Sequence, residues 1–205
     1  GVDWVMSLEP RWYSTIFGVY NFAGLFQSGL AALILVALWV ERRGPLRNVL
    51  NDEHLHDLGK LLFAFSTFWV YIWFSQYMLV WYTNIPEETA YFLRRVHGGW
   101  YALFLANIVL NWLFPFMLLL RRDAKRHRRT LELVALMVLV GRWLDLYLMI
   151  FPSLVGTTPR IGVWEIGLTL GGLGCFGLML VWVLGRAPAV PVADPQLTES
   201  LQYEQ

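Results

Sequence analysis

A chain of 205 residues in which 57% of positions are hydrophobic, 15% are charged and 11 are tryptophan has a mean hydropathy of +0.49. That composition excludes a soluble globular domain and describes a polytopic membrane protein. The formal net charge of +1 hides a strong asymmetry along the chain, and the single cysteine, Cys175, leaves no internal disulfide and no cysteine-ligated metal site.

The opening GVDWVMSLEPRWY lacks the basic flank, apolar core and cleavage site of a signal peptide and reads as the interior of something longer. Trp4, Met6 and Leu8, interleaved with Asp3 and Glu9, predict a short interfacial segment closed by Pro10, with Trp12 and Tyr13 at headgroup level. A first span is predicted over 14–40, followed by the exposed turn ERRGPLRNVLNDEH. The second span, over 58–83, is long enough to cross a hydrocarbon core of about 30 Å. It is also unusually polar for its setting, carrying Ser66, Thr67, Tyr71, Ser75, Gln76 and Tyr77 among aromatic rings. Pro86 stops this helix, and Glu87 and Glu88 favour the first turn of a short surface helix.

A third span over 100–120 carries Asn107, Asn111 and Pro115. The run RRDAKRHRRTLE then sits between two apolar segments, so it reads as a cytoplasmic loop near anionic lipid and not as a nucleic-acid site. The fourth span, over 131–154, contains Arg142 and Asp145 and ends at Pro152. In the fifth, over 164–184, Gly167, Gly171, Gly174 and Gly177 predict close helix packing within the chain or against a neighbouring subunit. The transmembrane domain thus covers 1–186, and the Pro-rich tail over 187–205 is expected to be extended or held by a partner.

Basic residues set the expected orientation. One side holds Arg42, Arg43, Arg47, Lys60, Arg121, Arg122, Lys125, Arg126, Arg128, Arg129 and Arg186, against Arg11, Arg94, Arg95 and Arg160 on the other. The positive-inside rule puts the first set in the cytoplasm, the N-terminus outside and the C-terminus inside. The chain is then expected to be a multi-pass membrane protein.

Arg142 and Asp145 lie three apart on one helix face, well inside an apolar span. Each costs about 2.5–3.5 kcal/mol near the bilayer centre, so such residues turn inward and pair. Two uses are open, an ion pair that orients the helix or a group that moves protons or holds a polar ligand. Glu165, at the start of the fifth span, is either a helix-dipole partner or an outer proton gate. His54, His56 and His127 fall on the cytoplasmic side and His97 on the outer side, so no histidine pair sits inside the spans as a transmembrane haem requires. The HLH pattern beside Glu53 and Asp57 is a weak metal signal and a better polar funnel above the second span. Gln27, Tyr71, Ser75, Asn107, Asn111, Arg142 and Asp145, at broadly central depth on four spans, are the candidates to line a hydrated path.

MSLEPRWYSTIFGVY at Met6–Tyr20, HDLGKLLFAFSTFWVYIWFSQYMLVWYTNIPEET at His56–Thr89 and RWLDLYLMIFP at Arg142–Pro152 resemble the NrfD or polysulfide-reductase membrane-anchor family, in the form of the ActF-type membrane subunits of bacterial alternative complex III. The resemblance covers about residues 3–185. It implies a ten-helix protein of two four-helix bundles with a flanking helix at each end, of which this chain would be the second bundle plus the closing helix. Five helices are then expected to precede Gly1. It also implies a quinol oxidoreductase complex whose partners are a quinol-site subunit of the same family, an iron-sulfur protein, a multihaem cytochrome c and a terminal oxidase. The c-type haems and iron-sulfur clusters would sit on those partners and none on this chain, with quinol nearby. On that reading this is a non-catalytic subunit. Asp145 is the central proton carrier and Arg142 tunes it, with an inner mouth at His54, His56 and Asp57 and an outer exit at His97 or Glu165. Two other readings stand beside it, a purely structural scaffold and a quinone-binding anchor with the ring held among Tyr71, Gln76, Tyr77 and Trp81.

Overall fold

The computed structural model describes residues 3–47, 49–186 and 188–190. After a single 3-10 turn at Met6–Leu8 come α1 (Phe17–Arg43), α2 (Asp52–Thr83), α3 (Pro86–Val96), α4 (Trp100–Leu119), α5 (Arg122–Arg126), α6 (Arg128–Val155) and α7 (Val163–Leu184). The fold is all-helical among the described residues, and α1, α2, α4, α6 and α7 are long and apolar enough to cross a membrane. The predicted tail, apart from 188–190, lies outside the described residues.

Local chemistry sets the helix ends. Asn51 caps α2 by accepting from the His54 amide at 2.8 Å, while its own N–H donates to His54 Nδ1 at 3.3 Å. Asp52 and Glu53 occupy the first turn, where the helix dipole favours negative charge. Asn84, in the left-handed region at φ 49°, ends α2, and Pro86 opens α3 as anticipated.

Helices α1, α2, α4 and α6 pack around one interior with three layers. At the α3 end it is aromatic, built on Trp12, Phe17, Tyr20, Trp69, Tyr91 and Phe92. At the opposite, basic end it is a buried aliphatic layer that includes Leu30, Ile34, Leu62, Leu131, Val134 and Val138. Polar side chains occupy the belt between.

Four observations correct or refine the sequence reading. Of the two aromatic residues expected at headgroup level, Trp12 is buried against the bundle, stacked on Tyr91 at 3.8 Å between ring centroids, and Tyr13 is exposed. Pro152 does not end the fourth span, since α6 runs on to Val155. A proline removes the N–H that would bond the carbonyl four residues back, and here Arg95 supplies the missing donor, with Nε at 2.9 Å from the Leu148 oxygen and a terminal nitrogen at 2.8 Å from that of Met149. Third, α4 contains a π turn at Val109–Leu113 just before Pro115. The Asn111 carbonyl that Pro115 cannot bond accepts instead from Gln27 Nε2 at 2.7 Å. Both prolines are thus tolerated because a neighbouring helix lends a polar side chain.

The fourth observation concerns α7. None of its residues is buried, and a Cβ added at Gly167, Gly171, Gly174 or Gly177 would meet nothing within 4 Å. Among the described residues nothing packs on its glycines, which leaves a neighbouring subunit, the other alternative of the sequence reading. Within the chain, α7 is tethered by Trp143 Nε1 donating to Thr169 Oγ1 at 2.8 Å and by Tyr147 donating to the Arg160 carbonyl at 2.7 Å.

At the basic end the charges of the run from Arg121 onward are drawn into cross-helix pairs. Arg128 meets Glu41 at 2.9 Å and Asp52 at 2.7 Å, Arg42 meets Glu132 at 2.5 Å, and Arg126 meets Glu53. Partly exposed pairs of this kind contribute about 0–1 kcal/mol each. Their effect is to fix the α1, α2 and α6 ends relative to one another.

Candidate functional site

The polar belt is organised on Asp145, which is 1% exposed. Its Oδ2 accepts from Arg142 at 2.5 Å, and its Oδ1 accepts from the Tyr20 hydroxyl and from Asn107 Nδ2 at 2.9 Å. Asn107 in turn accepts at Oδ1 from Asn111 Nδ2 at 2.7 Å, and Gln27 donates to the Asn111 carbonyl and to Ser66 Oγ at 3.0 Å. The Asn111 and Asn107 side-chain amides donate in sequence toward the carboxylate, while Gln27 braces the Asn111 backbone and Ser66. The dipoles therefore reinforce one another around one negative charge in a low-dielectric interior.

Helix phase explains who takes part. Tyr20, Gly24, Gln27 and Ala31 recur at helical spacing on the buried face of α1, as Ser66, Trp69, Ile72 and Gln76 do on α2. Gly24 is required: a Cβ there would run into the Arg142 guanidinium, and one at Gly141 would lie 2.8 Å from Asn111 Nδ2. We predict that Gly24→Ala displaces Arg142 and lowers stability by about 1–3 kcal/mol. Gly29→Ala, on the same helix with open space around it, should instead gain about 0.5–1 kcal/mol. Thermal midpoints of the two solubilised variants check the contrast.

Asp145 also lines a cavity of about 30 Å³, together with Tyr20, Gln76, Tyr91, Arg95 and Asn107. That is enough for a water molecule with several polar partners. On its far wall Arg95, 3% exposed, lies with its guanidinium carbon 3.4 Å from the Tyr91 ring centroid and pairs with Glu9 at 3.0 Å. Burial pushes the Tyr91 phenol up to about 12 against the lowering pull of Arg95, so the hydroxyl keeps its proton at any physiological pH.

The predicted site residues separate into two groups. Arg142, Asp145, Asn107 and Asn111 meet in the belt. Tyr71 is 63% exposed on the outer face of the bundle, and Ser75, half-buried, takes no part in the network. His54 is used in the α2 cap, Asp57 pairs with Lys60 at 2.7 Å, and His56 is buried with Nδ1 unbonded. Ten residues, about 15 Å of helix, separate His56 from Ser66, and the aliphatic layer fills that interval. His97 is exposed against the Leu93 carbonyl at 2.7 Å, and Glu165 caps α7 through the Gly162 amide at 2.7 Å. None of these five touches the Asp145 network. Among the described residues no three of the histidine, cysteine, aspartate and glutamate side chains come together as a metal site. Of the four residues of the quinone alternative, Gln76 faces the interior and Tyr71 and Trp81 face outward. Tyr77 and Trp81 share a separate cleft of about 430 Å³ with Phe92 and Leu93.

Sequence reasoning missed Glu9, Tyr20, Tyr91 and Arg95. The one available signal was Pro152, whose missing N–H obliges some donor to approach the Leu148 carbonyl. Compared with known proteins, the chain matches no protein-family model and no curated protein.

Proposed function

We infer that the chain is a membrane-embedded subunit that holds one proton-exchanging carboxyl group, Asp145, within a quinol-oxidising electron-transport complex of the alternative complex III type. The observation that carries the proton role is a carboxylate held by Arg142, Tyr20 and Asn107 at the edge of a water-sized cavity. An ion pair serving only to orient α6 would need neither the converging amides nor the cavity. The family and complex rest on the sequence blocks quoted above. The basic end then faces the cytoplasm and the α3 end faces outward, by the count of basic residues.

The Tyr20 hydroxyl is the natural exchange point. It can donate to Asp145 when the carboxyl is ionised, or accept from it when protonated and donate to water in the cavity. Asn107, Asn111 and Gln27 hold the carboxylate electrostatically and carry no proton themselves. Haems and iron-sulfur clusters belong to the partner subunits on this reading. Purification of the intact complex through a tag on this chain tests it. Co-purifying c-type haem, iron-sulfur clusters and quinol oxidase activity are expected, and a complex without haem and iron-sulfur would contradict the assignment.

The cleft at Tyr77 and Trp81 favours a second reading, a quinone ring at the α3 end. A photoreactive quinone analogue that labels Trp81 and is competed by native quinol would establish it. Labelling confined to other subunits would remove it.

A further inference from the structure

The second buried charge pair, Glu9 with Arg95, stands between the Asp145 cavity and water. Arg95 lines the cavity, while Glu9, 7% exposed, lines a cleft of about 510 Å³ at the α3 end with Arg94 and Trp12. Two contacts span the partition, the Arg95–Glu9 pair at 3.0 Å and the stacked Trp12 and Tyr91 rings at 3.8 Å. At the other end of the interior a buried layer of leucine, isoleucine and valine side chains lies between the belt and the buried His56. The buried charged groups that adjoin the belt thus lie at the α3 end, where Arg95 shares the cavity with Asp145 and pairs with Glu9.

Resting on the reading of Asp145 as a proton-exchanging group, we propose that the site opens to one side of the membrane alone, through Glu9 at the α3 end, with the Glu9–Arg95 pair as its barrier.

Arg95 cannot relay a proton, because a guanidinium does not release one in a protein. Its position is fixed by the Leu148, Met149 and Tyr91 carbonyls, with distances of 2.7–2.9 Å. It is a stationary positive charge that repels a free hydronium ion unless a negative partner lies beside it. Glu9 is that partner and can take the proton. One carboxylate oxygen meets Arg95, and the other lies 3.3 Å from Arg94, which is half-exposed in the cleft. A proton leaving the Asp145 carboxyl passes through Tyr20 and cavity water to Glu9 Oε1, where an O–H bond forms as the one at Asp145 breaks. Neutral Glu9 no longer attracts Arg95, swings toward Arg94 and gives the proton to water in the cleft. The ionised carboxylate then returns to Arg95. On the reading above, Asp145 is reloaded by a proton that quinol oxidation in the complex releases, and no further oxidant or reactant enters the sequence.

The test uses the intact complex in sealed vesicles of both orientations, in a Cys175→Ser background. Gln76→Cys places a thiol at the cavity wall, Val138→Cys places one in the aliphatic layer, and silver ion in chloride-free buffer is the water-sized probe. Gln76→Cys should react only when silver is added on the α3 side, and Val138→Cys from neither side. Adding Glu9→Ala should speed the Gln76→Cys reaction by about tenfold, as expected for loss of one charge-assisted contact. If Glu9→Ala does not assemble, Glu9→Gln keeps the shape and the acceptor, and acceleration in the same direction is expected. Reaction of Gln76→Cys from the basic side, or no acceleration in either Glu9 variant, overturns the proposal. The outcome is separable from the Asp145 reading: silver access from the α3 side with proton release unchanged in an Asp145 variant would remove the proton role and leave the one-sided opening standing.

Discussion

Replacing Arg95 with methionine is expected to destabilise the bundle by about 3–5 kcal/mol, the cost of removing one partner from a buried charge pair. The side chain joins three structures at once, namely the end of α6 at Leu148 and Met149, the α3 turn at Tyr91, and the N-terminal segment at Glu9. Its loss leaves the Leu148 carbonyl without a donor, because Pro152 cannot supply one. A double variant isolates this contribution. Pro152→Ala restores the N–H, so the Arg95→Met change should cost about 1 kcal/mol less in that background. Denaturant titration of the solubilised protein measures both steps, and equal costs in the two backgrounds would show that Arg95 does not serve the carbonyl.

Asp145→Asn is expected to have the largest functional effect. The amide still accepts from Tyr20 and Asn107, so the local geometry survives, yet it cannot take up a proton and it leaves Arg142 as an unpaired buried cation. That last consequence is structural and obscures the first. Removing both charges, as Arg142→Gln with Asp145→Asn, should recover most of the stability lost in Asp145→Asn, since neutral replacement of a whole buried pair is often harmless. Proton exchange should not recover. Stability and proton release therefore part company in the double variant if Asp145 is a carrier. If the pair only orients α6, they do not.

The sequence made some of this legible and hid the rest for physical reasons. Arg142 and Asp145 stand out because charge is rare inside an apolar span and has to turn inward, and five spans are readable from hydropathy alone. Their observed ends differ by a few residues, since caps such as Asn51 and breakers such as Asn84 act locally. Tyr71 misleads because hydroxyl content says nothing about helix phase. The buried face of α2 passes through Ser66, Trp69, Ile72 and Gln76, and Tyr71 lies about 140° away from Ser66 at 100° per residue. Glu9 and Arg95 are invisible for the opposite reason. Both sit in segments whose composition reads as surface, and only the fold shows that of the adjacent Arg94 and Arg95 one faces the cleft and the other the core. At the expected inner mouth His54 caps α2 and Asp57 pairs with Lys60, and an aliphatic layer built from Leu62, Val134, Val138 and their neighbours divides them from the belt.

The most direct test of the central claim is the number of protons released per quinol oxidised by the intact complex in sealed vesicles, compared between the wild type and the Arg142→Gln, Asp145→Asn double variant. With Asp145 as carrier, quinol oxidation continues while the share of proton release that passes through this chain is lost. An unchanged ratio at an undiminished oxidation rate would contradict the account and leave Arg142 and Asp145 as a structural pair.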